Sequence, residues 1–254
     1  YFVSSYSNGI KTNRDAWSYN SSNMVLTQNI IRSIDFYNSQ VADFENAKIS
    51  KADLEAADFI NLDRTKFAWD YAQKIDITKS RKYTFKPDSI VNAIYRPFFK
   101  QHFYFNRDLV NRVYQIPKLF PTSGVKNLVI CVSGVGVTKD FSTIITDTIP
   151  DLELIGKSQC FPLYYFEERL NQTPTLFDVP GENGLIRRDG ISEFILDRAQ
   201  SQYGKNVTKE DIFYFVYGFL HSPDYRTAYS NDLKKMLPRL PLLEDVKQFW
   251  QFSK

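Results

Sequence analysis

Few residues of this chain have the types and the spacing that chemistry at a protein site requires. A glycine-rich stretch, Ser133-Gly134-Val135-Gly136-Val137, follows an apolar run and has the first two glycines of a dinucleotide-binding turn. The third glycine of that fingerprint would stand where the chain has Lys139. We therefore predict a strand and a tight turn here, with the Lys139 ammonium group available to a phosphate.

Three charged residues near the C terminus follow an order that metal-dependent nucleases use. Asp224 is followed by Asp232 and, two positions later, by Lys234. Nuclease carboxylates converge on a metal ion from strand edges, whereas both acids here fall in a predicted helical region, about two turns apart. We interpret them as part of a solvated helix face.

Histidine and cysteine, the other residues that commonly carry catalysis or bind metals, are scarce. His102 and His221 follow no motif that would place them beside a serine or cysteine nucleophile. Cys131 and Cys160 lack the paired spacing of a zinc site, and we interpret them as small buried hydrophobes rather than a disulfide. The sequence thus predicts no catalytic residue, no cofactor-binding residue and no metal ligand in this chain.

The strongest helical signal lies near the C terminus. One apolar stripe runs along it at steps of three and four residues and comprises Ile212, Phe215, Val216, Phe219 and Leu220. Thr208 and Asp211 have the spacing of a capping box, and Ser222 with Pro223 can begin a second helix that Pro238 stops. We predict a helical pair that packs its stripe on the rest of the protein.

The rest of the chain changes from helical to strand-like patterns. A long amphipathic helix should begin near Ser22 or Asn23, with shorter helices over Lys51 to Ile60 and Thr65 to Lys74. Short apolar runs then predict strands, at Tyr83 to Phe85, Phe103 to Phe105, Leu128 to Val132 and Phe161 to Tyr165. A further helix over Ile191 to Tyr203 should end at Gly204.

These patterns predict an α+β fold in successive regions along the chain. Residues 1–80 form a helical coupling region, and residues 81–170 form a recognition region with a small mixed β-sheet. Residues 171–190, which are rich in proline and glycine, form a loop. Residues 191–254 form a C-terminal helical bundle.

The composition indicates an ordered globular protein. The chain has 254 residues, of which 43% are hydrophobic, enough to bury a substantial core in one large or two modest domains. Because it contains no run of about 18 apolar residues and no secretory leader, we expect no membrane partner and a cytoplasmic location. A chain that begins at Tyr1 is expected to be part of a longer polypeptide.

The charge is distributed unevenly, although the net charge of +3 is too small to indicate a nucleic-acid partner by itself. Basic residues are concentrated among aromatic residues in the central region, at Arg81, Lys82, Lys86, Arg96, Lys100, Arg107, Arg112, Lys118 and Lys126. Such a region suits phosphate contacts, and it suits a solvated face over an aromatic core equally well.

Several segments, in their order along the chain, resemble the C-terminal specificity part of bacterial type ISP restriction-modification enzymes. They are Gly9 to Trp17, Tyr95 to Gln101, Val113 to Pro117, Phe120-Pro121, Gln159 to Tyr165, Lys209 to Arg226 and Leu237 to Pro241. The first resembles the segment just after a methyltransferase core, and the second resembles the start of a target-recognition region. Phe99 and Gln101 stand where many other adenine methyltransferases have an acid and an arginine, which agrees with the ISP-like subgroup.

The resemblance implies a non-catalytic part of a larger enzyme. The chain has no Asn-Pro-Pro-Tyr or Asp-Pro-Pro-Tyr run, which adenine methyltransferases use to hold the extracted base. The methyltransferase, the helicase-like motor and the Mrr-like nuclease, with S-adenosylmethionine, ATP and Mg²⁺, would then lie upstream in the same polypeptide. This chain would bind double-stranded DNA and position it for methylation, translocation and cleavage.

The predicted DNA contacts are polar residues in the family-like segments and in the central loops. They are Lys11, Asn13, Arg14, Arg96, Lys100, Gln101, Lys139 and Lys157. Structural roles remain open for these residues, since Asn13 and Asp15 can cap a turn and Arg96 can pair with a buried acid. The alternative function is a helical protein-interaction scaffold that has little direct contact with DNA.

Overall fold

The computed structural model describes residues 3–168, 179–180 and 184–254. The chain divides into two compact units whose segments alternate along the sequence. The larger unit comprises Tyr1–Ile10, Ile94–Phe99 and Tyr114–Lys254, and the smaller unit comprises Lys11–Ala93 and Lys100–Val113. The predicted α+β class is confirmed. The division of the chain into four successive regions stays a prediction.

The elements in chain order are as follows. The helices are α1 (Asp15–Ser18), α2 (Asn23–Ser50), α3 (Ala56–Phe59), α4 (Tyr71–Thr78), α5 (Ile116–Leu119), α6 (Glu193–Tyr203), α7 (Lys209–Phe219), α8 (Pro223–Ala228), α9 (Ser230–Leu233) and α10 (Val246–Ser253), with a 3-10 turn at Pro87–Ser89. The strands are β1 (Ser7–Asn8), β2 (Tyr19–Asn20), β3 (Ile90–Arg96), β4 (Phe99–Tyr104), β5 (Val129–Val132), β6 (Thr143–Thr146), β7 (Ile149–Pro150), β8 (Gln159–Pro162), β9 (Tyr164–Glu168), β10 (Val179–Pro180) and β11 (Leu185–Asp189).

Helix α2 organises the smaller unit. The Ser22 hydroxyl accepts a hydrogen bond from the Val25 N–H and caps the helix where the sequence predicted its start. Its buried stripe includes Ile30, Ile34, Tyr37, Val41 and Phe44, which recur at steps of three and four residues as expected of the predicted amphipathic helix. These side chains pack with the aromatic residues of the segments that follow, so the helix supplies one wall of this unit's core.

The two shorter helices of this unit differ from the prediction. Only Ala56–Phe59 of the predicted 51–60 stretch is helical. The helix predicted over residues 65–74 begins later, at Tyr71, because the Asp70 carboxylate caps the Tyr71 N–H at 2.8 Å. Just before it, the Asp63 carboxylate accepts the Thr65 N–H, which holds that stretch in a turn instead of a helix.

The strand predicted at Tyr83 to Phe85 is not formed. The Tyr83 N–H donates to Asn38 Oδ1 and the Tyr83 carbonyl accepts from Asn38 Nδ2, both at 2.9 Å. A side chain of α2 thus satisfies the backbone groups that a neighbouring strand would otherwise bond. The Tyr83 ring stacks on the Tyr37 ring, with the two ring centroids 4.3 Å apart. The apolar run at Tyr83 thus packs on α2 and not in a sheet.

An antiparallel sheet of order β1-β8-β5-β6 is the centre of the larger unit. All four residues of β5 are buried, as expected of a central strand whose two faces are covered. Ile130 and Val132 of β5 belong to the same core as the stripe of α7, so the predicted docking of that helix is confirmed. The capping box of Thr208 and Asp211 is also present.

Strand β11 corrects the loop predicted over residues 171–190. Residues 171–178 and 181–183 lie outside the described residues, but β11 pairs with β9 along all five of its residues. The sequence pattern missed this strand because only Ile186 of β11 is buried, and Arg187, Arg188 and Asp189 give it the polarity of a loop.

The C-terminal helices form a compact group in the larger unit. Ser222 caps α8 with Pro223 at its first turn, as predicted, but the second helix divides into α8 and α9 and ends at Leu233, before Pro238. Helix α10 was not predicted, and its Phe249 is buried against Tyr203 with ring centroids 4.1 Å apart. This extra helix covers α7, so the pair is part of a larger bundle.

The two cysteines lie opposite each other on β5 and β8, with Cys131 Sγ and Cys160 Sγ 3.6 Å apart. Both are free and buried, as predicted. Burial raises the pKa of the Cys160 thiol well above its usual value, which suppresses the reactive thiolate. We expect neither thiol to react with Ellman's reagent at pH 8 until the protein is unfolded in urea, where both should react. Stoichiometric reaction in the native protein would contradict this burial.

Candidate nucleic-acid interface

Two loops leave the same end of the central sheet. Val132, the last residue of β5, pairs with Thr143 at the start of β6 and with Gln159 at the start of β8. The β5–β6 loop (residues 133–142) and the β7–β8 loop (residues 151–158) must therefore emerge side by side. We call these two loops together the loop end of the sheet.

Gly134 allows the two loops to touch. Its N–H donates to the Gly156 carbonyl at 2.9 Å, and a Cβ atom on Gly134 would lie 2.3 Å from the Lys157 carbonyl oxygen. Only glycine permits such a close backbone approach. The glycine-rich stretch thus serves loop packing, and Gly136, with φ +74°, turns the chain beside it.

Two predicted DNA-contact residues, Lys139 and Lys157, lie on these loops and are exposed. The backbone of Lys157 has φ +45°, a left-handed conformation that costs an ordinary residue about 1–2 kcal/mol. Its Nζ lies 3.4 Å from the Gly136 carbonyl oxygen. The sequence had indicated two cations in variable loops, and the structure places them on loops that contact each other.

Arg96 is held in place from two sides. Its Nη1 lies 2.9 Å from Asp151 Oδ1, and its guanidinium covers the Tyr95 ring at 3.8 Å. The Asp151 side chain is only 4% exposed and also accepts the Glu153 N–H, so it fixes the start of the β7–β8 loop. The alternative that Arg96 pairs with a buried acid is confirmed, and this pairing links it to the loop end of the sheet.

The turn after Arg96 exposes an aromatic ring. Pro97 and Phe98 connect the hydrogen-bonded strands β3 and β4, and the Phe98 residue is 92% exposed with φ +62°. Proline followed by a positive φ is the pattern of a type II turn, in which the second position normally has glycine or asparagine. Phenylalanine at this position costs about 1–2 kcal/mol of backbone strain. Sequence reasoning included neighbouring Arg96 but missed Phe98, although the proline before it is a turn signal.

Three predicted DNA-contact residues of the Gly9 to Trp17 segment, Lys11, Asn13 and Arg14, lie in the smaller unit and have different environments. Lys11 is exposed, and its backbone forms a bridge with Arg112. Asn13 adopts a left-handed conformation and donates from Nδ2 to the Asp70 carboxylate at 3.2 Å. The Asp15 carboxylate accepts a hydrogen bond from the Thr12 hydroxyl, whose oxygen in turn accepts the Arg14 N–H, so Thr12 supports the turn before α1. The capping role considered for Asp15 stays a prediction.

Arg14 is buried, with 7% of its surface exposed. Its Nη1 donates to the Leu109 carbonyl and its Nη2 to Gln73 Oε1, both at 2.9 Å. Burial lowers the pKa of the Arg14 guanidinium, and the nearby Asp70 carboxylate opposes that effect. The DNA contact of Arg14 stays a prediction, and its hydrogen bonds give it a structural role within the smaller unit.

The remaining predicted residues, Lys100 and Gln101, lie at the start of β4. Lys100 is exposed and Gln101 is half-buried, and burial increases along β4 towards Tyr104. Further along β4, His102 and Phe103 pair with β2 in an antiparallel ladder. These two positions thus lie on a supported strand, and their contact with DNA stays a prediction.

The other residues considered for chemistry are dispersed. Asp224 lies in α8 and Asp232 in α9, and within residues 3–168 and 184–254 no three His, Cys, Asp or Glu side chains form a group that could hold a metal ion. His221 lies 3.3 Å from an Arg226 nitrogen, and burial together with that cation lowers the pKa of its imidazole. None of the helices described here is both long and apolar enough to cross a membrane.

The sequence matches the family described as the Type ISP C-terminal specificity domain over residues 2–254, and the chain belongs to this family. Among curated proteins, no match was found.

Solved structures of much longer proteins contain a similar fold. A nuclease-deletion mutant of the Type ISP restriction-modification enzyme LlaGI, in complex with a DNA substrate mimic, is 32% identical with a TM-score of 0.80. DrdV in a DNA complex is 28% identical (TM-score 0.80), and the ATP-dependent Type ISP enzyme LlaBIII bound to DNA is 29% identical (TM-score 0.78). Each covers 99% of this chain, which spans 21%, 22% and 15% of the three chains respectively.

Proposed function

We propose that this chain recognises a target sequence in double-stranded DNA, with the loop end of the central sheet as a principal contact surface. The observation that carries this proposal is membership of a specificity-domain family over residues 2–254. The three similar structures, each described as a complex with DNA or a DNA mimic, support the same partner.

The loop end has the groups that such recognition requires. Lys139 and Lys157 can fix the register of the protein on phosphates, which supplies affinity without sequence information. Thr138 and Asp140 are exposed on the β5–β6 loop and can exchange hydrogen bonds with base edges in the major groove. Because Gly134 joins this loop to the β7–β8 loop, the phosphate-binding and base-reading groups keep a fixed spacing.

In the full enzyme, recognition by this chain would position one adenine for an upstream methyltransferase and license translocation and cleavage when the site is unmethylated. S-adenosylmethionine, ATP and Mg²⁺ would act in those upstream domains, and this chain would contribute no catalytic group. The setting we propose is the bacterial cytoplasm. These roles are inferred from the family and from the length of the relatives.

The experiment is a selection of duplexes from a random pool by the 254-residue chain at low salt, followed by binding measurements over a salt series. We expect a recurrent sequence and steeply salt-dependent affinity. A chain that binds no duplex at low salt, and still binds none when linked to its upstream methyltransferase, would favour the protein-interaction scaffold.

Neutralising both loop cations should weaken binding without changing sequence preference. We pair Lys139→Gln with Lys157→Asn, because asparagine tolerates the left-handed backbone at position 157. Loss of two phosphate contacts should reduce the salt slope by about 2 and the affinity roughly tenfold or more. Fluorescence anisotropy with the selected duplex measures both quantities.

A matched control is Lys247→Gln, which removes the same charge from the exposed surface of α10. This variant should bind within about twofold of the unmodified chain, since long-range charge effects are screened at physiological salt. Equal losses for the loop pair and for Lys247→Gln would mean that overall charge, and not the loop end, determines binding.

A further inference from the structure

We propose that Phe98 is a wedge that enters the base stack of the bound duplex, an inference that rests on the proposed DNA-binding function. The Phe98 ring stands at the tip of the β3–β4 turn, and the residue is 92% exposed. A phenylalanine so exposed gains almost nothing from burial in the folded chain. Its position therefore calls for an explanation outside the packing of this protein.

The backbone gives a second, independent sign. Phe98 has φ +62° in a turn position that glycine or asparagine would occupy without strain. Neither core packing nor backbone preference thus favours phenylalanine here. Strain of this kind persists where the surrounding structure holds it, and it is concentrated at functional sites.

The residues that precede the Pro97-Phe98 turn are fixed by several contacts, so the turn is well supported. Arg96 is anchored by Asp151 at 2.9 Å and by the Tyr95 ring, and the Asp151 N–H donates to the Ile94 carbonyl. Pro97 restricts its own φ at the first position of the turn. The ring is therefore presented at the end of a supported hairpin.

Duplex DNA fits this tip better than a protein surface does. Architectural proteins insert single apolar residues, including phenylalanine and proline, between base steps. Lys100, which is exposed, follows the turn in the sequence and places a cation near the aromatic tip along the chain, which favours a polyanion. A protein-docking surface would instead need a contiguous apolar patch much larger than this turn.

The test uses the selected duplex and a series of the same duplex in which one nucleotide at a time is replaced by an abasic site. An abasic site lacks one base of the stack, so the Phe98 ring can enter the vacant position without separating stacked bases. We expect the unmodified chain to bind the best-placed abasic duplex about tenfold more tightly than the intact one.

The decisive variant is Phe98→Asn, which suits the left-handed turn and removes the ring. It should bind intact and abasic duplexes equally, with an unchanged salt slope, whereas Phe98→Trp should keep the preference. Phe194→Ala serves as the control, since Phe194 is an exposed aromatic residue (64%) on α6 and its loss should leave the preference intact.

The two proposals fail in different ways. Absence of any abasic preference, or a preference that survives Phe98→Asn, overturns the wedge while salt-dependent duplex binding still supports target recognition. Absence of duplex binding in every form of the chain overturns both.

Discussion

Replacing Gly218 by alanine is expected to destabilise the larger unit by about 2 kcal/mol, although alanine is the better helix former. A Cβ atom at position 218 of α7 would lie 2.3 Å from the Phe252 carbonyl oxygen of α10. Because this obstacle is backbone, no side-chain rotation relieves it, and α10 must move. The overlap costs about 3 kcal/mol, of which the helix propensity of alanine offsets about 1 kcal/mol.

Urea unfolding of the Gly218→Ala variant measures this loss. The chain has three tryptophans, and of these only Trp250 lies in α10, so its fluorescence in a Trp17→Phe/Trp69→Phe background reports on that helix. Ser201→Ala, on the exposed side of α6, is the control and should change stability by no more than about 0.5 kcal/mol. A stabilised Gly218→Ala variant would show that α7 and α10 do not pack at this distance in solution.

Gly218 also shows why α10 was absent from the sequence prediction. The stripe of α7 indicated that the helix must pack on something, but the pattern does not identify its partner. Helix α10 has only eight residues, and its signals are the Asp245 cap and the apolar pair Phe249 and Phe252. So short a segment is stable as a helix only through tertiary packing, which sequence periodicity does not encode.

The helices with caps and long apolar stripes were the predictable part of the fold. Helices α2, α6 and α7 are capped by Ser22, Ser192 and Thr208, whose side-chain oxygens each accept a helix N–H. Strand β5 was recognised because all its residues are apolar, and the structure shows all four of them buried. Strand β11 was missed because its pairing with β9 uses backbone groups, while three of its five side chains are charged and only one is buried.

Of the candidate interface, only the two loop cations could be predicted from the sequence. Lys139 and Lys157 could be chosen from the sequence because they fall between predicted strands. The contact of Gly134 with the β7–β8 loop and the pairing of Arg96 with Asp151 join residues 22 and 55 positions apart. Such contacts depend on strand register, so they could not be derived from local spacing.

The burial of Arg14 was the largest departure of a candidate residue from its expected environment. Arginine is rarely buried, and Arg14 was predicted to contact DNA, which requires an exposed side chain. The structure instead directs its guanidinium to the Leu109 carbonyl and to Gln73, over the Phe67 ring. Arg14 thus connects segments of the smaller unit that are distant in the sequence.

Arg14→Met is accordingly expected to destabilise the smaller unit by about 2–3 kcal/mol and to leave the salt dependence of DNA binding unchanged. Methionine keeps much of the side-chain length but donates no hydrogen bond, so the Leu109 carbonyl and Gln73 Oε1 lose donors. Each buried acceptor without a donor costs about 1–3 kcal/mol, and removing a buried charge offsets part of that cost.

The matched control is Lys11→Met, three residues earlier and exposed, which should preserve stability within about 0.5 kcal/mol. Trp17 and Trp69 report unfolding of the smaller unit in a Trp250→Phe background. If Lys11 touches phosphate, its variant alone should reduce the salt slope, by about 1. The opposite pattern, normal stability with a reduced slope for Arg14→Met, would mean that the guanidinium leaves its buried position to bind DNA.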